Sequence, residues 1–86
     1  MSYRVEFTSA AARQVRKLPR PVRGRVLDAV AQLAEDPRPH GAKKLVGERT
    51  AWRIRVGDYR VIYDVLDERL TVTVVRAAHR REVYQR

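Results

Sequence analysis

The stretch AWRIRVGDYRVIYDV, residues 51–65, sets Arg53, Arg55 and Arg60 into an alternation of apolar side chains around a Gly-Asp pair. Two-residue spacing puts Arg53 and Arg55 on one face of a strand. If Gly57-Asp58 is a two-residue hairpin loop, Val56 faces Tyr59, Arg55 faces Arg60 and Ile54 faces Val61, so all three arginines share that face. Like charges directly across a strand pair repel. Such a face is therefore either a solvated surface screened by salt or a cradle for an anion. Guanidinium forks onto phosphate oxygens more specifically than an ammonium does, which makes phosphate the anion it suits best. The run HRREVY at 79–84 adds His79, Arg80, Arg81 and Tyr84. An antiparallel return of the last strand places that tail beside Arg60.

Other chemistries are poorly supplied. The chain has no cysteine and only two histidines, His40 and His79, with scattered acids, so thiolate, disulfide and protein-metal sites have little to build on. It has no Gly-rich phosphate loop ending in Lys-Ser/Thr and no nucleophile elbow. Trp52 falls on the apolar side of its alternation and reads as core, and His40 reads as a solvated residue of a proline-rich loop.

The bulk charge agrees with an anionic partner. Among 86 residues, 19 Lys+Arg stand against 10 Asp+Glu, a net charge of +9. A field of that size attracts polyanions by steering and counterion release, or an acidic protein that neutralises it. At this length one domain is expected, burying roughly 60–65% of its unfolded surface. No apolar run approaches a membrane span, and MSYRVEFTS lacks the apolar stretch of a secretory signal, so the expectation is a soluble cytoplasmic protein with no membrane partner.

The elements that must hold these residues follow from periodicity. YRVEFT at 3–8 alternates as a strand. Thr8 or Ser9 then offers an N-cap to a helix with Ala11, Val15 and Leu18 on one side, ending at the proline of KLPRP. Pro21 suits the first turn of a second helix, whose stripe is Val22, Val26, Val30 and Leu33, with Leu27 and Ala29 beside it, and which stops near Glu35. DPRPHGAKKLVGERT, 36–50, reads as a surface loop. AWRIRV, YRVIYDVL and RLTVTVVRA then form a three-stranded antiparallel meander, followed by a short turn or helix. The core face carries Trp52, Ile54, Val56, Tyr59, Val61 and Tyr63, continued by Leu70, Val72 and Val74. The other carries the arginines with Ile62, Thr73 and Asp64. The fold expected is a small single-domain α+β protein over residues 1–86, with the helices on one face of the sheet.

This order of elements, with RKLPRPVRGRV early, WRIRVGDYRVIY in the middle and HRREVY at the end, resembles the RelE/ParE toxin superfamily of type II toxin-antitoxin systems over essentially the whole chain. The RelE branch implies a ribosome-dependent endoribonuclease that needs no cofactor or metal. It cuts mRNA in the A site, inhibits translation, and is silenced by a RelB-like antitoxin whose acidic segment folds on binding. Operator DNA is contacted through the antitoxin complex. The ParE branch implies instead a poison of DNA gyrase without nuclease activity, and the set Arg60, Arg80 and Tyr84 favours RelE.

Carried over by position, the resemblance makes Arg60, Arg80, Tyr84 and His79 the catalytic set, and Arg53, Arg55, Arg81, Lys43 and Lys44 the RNA-binding set. Tyr84 would be the base, its phenolate favoured by neighbouring arginines. Arg80 would stabilise charge, Arg60 and Arg55 would hold the scissile phosphate, Arg53 would orient the backbone, and His79 would be a reserve acid or base. Arginines at 53 and 55 stand where relatives commonly have lysines, and Ala78 where many have glycine.

Overall fold

The computed structural model describes residues 2–83 and begins with a strand, β1 (Arg4–Phe7), that leads straight into the helical layer. Thr8 caps α1 (Ser9–Arg16), its hydroxyl oxygen accepting from the Ala11 N–H at 3.1 Å. Pro19 breaks the chain and caps α2 (Arg20–Gln32), with Pro21 in the first turn where a missing N–H costs nothing. Then follow β2 (Lys43–Lys44), β3 (Ala51–Val56), β4 (Tyr59–Leu66), β5 (Thr71–His79) and a short α3 (Arg80–Val83). The strands form one sheet in the order β1-β5-β4-β3-β2. β1 runs parallel to β5 and the remaining pairs are antiparallel. The α+β fold with helices on one face is the one the periodicity implied.

The core lies between that face and the helices. Ala11 and Val15 from α1 and Val26, Val30 and Leu33 from α2 and its end meet Ile54, Val61, Tyr63, Val65, Val72, Val74 and Ala77. The β3–β4 register is the expected one, with Arg55 opposite Arg60 and Ile54 opposite Val61.

Three details differ from the sequence reading. The loop 36–50 contains β2, which pairs Lys43 with Arg53 and Lys44 with Trp52. Two residues carry no readable period, and the pairing serves the open edge of β3. Leu70 is 37% exposed and lies outside β5, in a left-handed conformation (φ 47°) as the exit residue of a tight turn over Asp67–Arg69. Its N–H donates to the Asp67 carbonyl at 3.1 Å, so the turn and not the alternation sets its direction. The third difference matters most. The β4–β5 ladder slips between Ile62, which pairs with Arg76, and Tyr63, which pairs with Val74. Val75 is the extra residue of a β-bulge, and every side chain beyond it changes face.

Candidate functional site

The face of the sheet turned away from the helices carries two cationic rows. One runs Arg55, Arg60, Ala78 across β3, β4 and β5; the other runs Lys43, Arg53, Ile62, Arg76 from β2 to β5. Arg76 belongs to this face because of the bulge. Strict alternation from Val72 and Val74 would send it into the core, so the two-residue period does not point to it.

Arg60 is the unusual member. It is only 6% exposed. Its Nη1 donates to the Tyr59 carbonyl at 3.3 Å, and its Nε is buried with no hydrogen-bond partner among the described residues. The Nε of Arg76 is likewise buried without one, while its Nη2 donates to the Glu82 carbonyl at 2.9 Å and so ties α3 to the sheet. Among the described residues, ion pairs join Arg4 to Glu6 and Arg38 to Asp67, and no carboxylate pairs with Arg55, Arg60 or Arg76. Asp64, on the same face of β4, accepts from the Thr50 hydroxyl at 2.9 Å.

His79 lies on the other side. It pairs with Tyr59 across the ladder, its ring edge-to-face with the tyrosine at 5.3 Å, beside a cleft that includes Gln14 and Lys17. The same bulge that brings Arg76 to the arginine face turns His79 from it. There His79 caps α3: its Nδ1 accepts from the Arg81 N–H at 3.3 Å, and Glu82 Oε1 accepts from the His79 N–H at 3.2 Å. This reciprocal pair is a capping box with histidine as the cap. The Arg80 N–H donates to the Asp58 carbonyl at 2.8 Å, anchoring the tail to the β3–β4 turn.

The remaining candidates are dispersed. Arg80 and Arg81 are exposed on α3, and Lys43 is exposed at the sheet edge. Lys44 shares a face with Trp52, and its ammonium donates to the Glu48 and Arg49 carbonyls. Tyr84 lies outside the described residues.

A second polar cluster contrasts with the arginine face. Asp67 accepts from the Tyr3 hydroxyl at 2.6 Å and from Arg38 at 2.8 and 3.2 Å, while the Arg38 guanidinium lies 5.4 Å from the Trp52 ring centroid. The Arg38 and Tyr3 hydrogen bonds hold the Asp67 carboxyl below its ordinary range. Burial pushes the Tyr63 phenol up to about 12, and its hydroxyl donates to the Pro37 carbonyl at 2.8 Å.

Two helices over a mixed sheet whose open face gathers arginines define a small basic toxin of the RelE type, as similar proteins bear out. The chain is 36% identical to toxin RelG of Mycobacterium tuberculosis over 90 residues, covering all of both chains. It is 33% identical to the mRNA interferase toxin RelE of Escherichia coli over 88 residues, 98% of this chain and 92% of that one. It superposes on a chain of the RelBE2 toxin-antitoxin complex from M. tuberculosis with a TM-score of 0.81, at 32% identity over 92% of each chain. The model of the family described as the ParE toxin of the type II toxin-antitoxin system parDE matches residues 5–84, and the chain belongs to that family.

Proposed function

We propose that this toxin is an endoribonuclease that cuts mRNA in the ribosomal A site and thereby stops translation. The observation that carries the reading is Arg60, a nearly buried guanidinium whose Nε has no partner and which pairs with no carboxylate among the described residues. Leaving a buried cation without a counter-ion costs several kcal/mol. A bound phosphodiester removes that cost and gains charge-assisted hydrogen bonds preorganised before it arrives. The mRNA interferase activity named for the E. coli relative makes RNA the phosphodiester of choice.

The chemistry is an internal transfer. The ribose 2′-oxygen bonds to the adjacent phosphorus as the P–O5′ bond breaks, giving a 2′,3′-cyclic phosphate and a 5′-hydroxyl. The 2′ proton leaves to a base, and the 5′-oxygen gains one. Arg60 and Arg55 hold the phosphate and stabilise the phosphorane. Arg53, Lys43 and Arg81 track the flanking backbone, and Arg80 braces the leaving oxygen. Tyr84 is the base. Its free phenol has a pKa of about 10, so the reading requires neighbouring cations to favour the phenolate. His79 contributes through the capping box that sets the direction of α3.

The toxin acts in the cytoplasm and is neutralised by a RelB-like antitoxin. With a net charge of +9 on the toxin, an acidic antitoxin segment that folds on binding covers the basic face. Operator DNA is reached through that complex. The ParE name of the family supports a second reading, a gyrase poison that leaves RNA intact.

A purified translation reaction with a defined codon in the A site, read by primer extension, separates these readings. Wild type cuts within the codon, Tyr84→Phe cuts weakly, and Arg60→Ala falls by roughly 10²- to 10³-fold, as for loss of one preorganised donor, while remaining folded. Intact mRNA from folded wild type overturns the proposal and moves the test to gyrase-mediated DNA cleavage.

A further inference from the structure

The arginine face does not end at the edge of β3. A cleft of about 440 Å³ opens there between α2, β3 and the segment that follows Pro37, within the ~300–1,000 Å³ range of small-ligand sites. It exists because β2 is short: it pairs only with Trp52 and Arg53, leaving β3 from Ile54 onward without a strand on that side. Three cations of the candidate site, Lys43, Arg53 and Arg55, line it, and among the described residues no carboxylate does. Its apolar walls are Ala29, Pro39 and Ile54, and its other polar groups are Gln32 and His40.

A tight turn sets the backbone of His40 there. The Ala42 N–H donates to the Pro39 carbonyl at 2.9 Å and Gly41 has φ 93°, so residues 39–42 form a turn whose third position demands glycine. That turn sets the backbone of His40 against the cleft, across from Gln32 on α2.

Resting on the RNA cleavage proposed above, we propose that this cleft is a nucleotide subsite. It takes the nucleotide next to the scissile phosphate, and Gln32 and His40 read its base. Arg55 sits directly across the ladder from Arg60, roughly 5 Å away between Cα atoms. A strand with one phosphate on Arg60 and Arg55 therefore meets the mouth of the cleft one nucleotide on. The cations hold the backbone there, the apolar walls take the face of the base, and an amide and an imidazole offer donors and acceptors to its edge. Single-stranded RNA is the form that fits, because its bases can be splayed away from their neighbours.

Two measurements test this on the whole protein. The first titrates a 2′-deoxy trinucleotide, which lacks the attacking hydroxyl, into labelled protein. The Gln32 side-chain amide, the His40 ring and Ile54 shift together with the arginine face. Shifts confined to the arginine face, or reproduced in full by inorganic phosphate, overturn the subsite. The second reads cut sites in translation reactions programmed with all four bases at each A-site position. Gln32→Ala, an exposed change, and Ala29→Leu, which fills the cleft, flatten the base preference several-fold at one fixed position relative to the cut. An unchanged base distribution in both variants overturns the proposal while leaving the cleavage reading standing. If wild type cuts nothing, the cleavage reading falls and the titration alone decides whether the cleft binds a nucleotide.

Discussion

Arg60 and Tyr63 stand three residues apart on β4, both buried and on opposite faces of one sheet. Tyr63 buries a polar group and answers it within the chain, its hydroxyl donating to the Pro37 carbonyl at 2.8 Å. Arg60 buries a full charge whose Nε finds no partner among the described residues. The helix-covered face is complete in itself and supplies the stability that lets the other face stay incomplete. An incomplete buried cation is a poor stabiliser and a prepared anion site, so the same strand divides folding and function between its two sides.

The bulge at Val75 keeps the two faces distinct at the end of β5, and putting a cation on the helix-covered side just beyond it is the most severe way to break the comparison. Because the ladder slips there, Ala77 and not Arg76 faces the helices, opposite Val61, and Ala77→Arg carries a cation to that side. Bringing an unpaired guanidinium among Val74, Val61 and Tyr63 is expected to abolish cooperative unfolding altogether. Thermal melts with amide NMR spectra check it. A variant with a wild-type melting temperature would show that the slip does not set the faces.

That bulge also marks where the sequence stopped being readable. The β3–β4 hairpin was legible to the residue, because Gly57-Asp58 and an unbroken two-residue period fix its register. The helices were legible from Thr8, Pro21 and the spacing of Val26, Val30 and Leu33. Beyond Val74 the period of two ceases to apply, and VVRAAH holds no glycine or proline to announce it. That is why alternation alone does not place Arg76 on the arginine face, while His79 is grouped with the arginines because it opens the basic run HRREVY. β2 escaped because its two lysines pair only for the sake of the β3 edge. The burial of Arg60 was illegible in a different way: composition reports a cation, and only packing reports that it lacks a partner.

A smaller effect sharpens the contrast from the side of Tyr63. Its phenol is pushed up to about 12 by burial, against about 10 in the unfolded chain. The folded state therefore needs the neutral phenol. Above pH 10 the unfolded chain gives up its proton first, so this residue's contribution is whole below pH 10 and is lost as pH rises through about 12. Tyr63→Phe keeps the ring and loses the hydrogen bond, a cost of about 0.5–1.5 kcal/mol at neutral pH, and it removes one source of alkaline instability. Denaturation of both proteins from pH 8 to 12 should show the gap between them closing as pH rises. A constant gap would mean that Tyr63 ionises as easily folded as unfolded.

The mildest effect concerns Arg38, which resembles Arg60 with its partner restored. Its guanidinium meets Asp67 at 2.8 Å, and the carboxyl is held below its ordinary range by Arg38 first and Tyr3 second. A lowered carboxyl contributes above the unfolded value of about 3.9 and loses its contribution as pH falls through the folded one. Asp67 is exposed, so solvent and salt screen the pair. Asp67→Asn should therefore lower the melting temperature slightly near pH 7, less so in 1 M salt, and the two melting curves should merge in strong acid, where the wild-type carboxyl is also neutral. A gap that persisted unchanged into acid would assign the contribution to something other than charge, since an amide oxygen still accepts the Tyr3 hydrogen bond in the variant. A gap that is small at pH 7 and closes in acid shows that a cation answered at the surface gains little, which leaves the buried Arg60, with no partner for its Nε among the described residues, as the costly one.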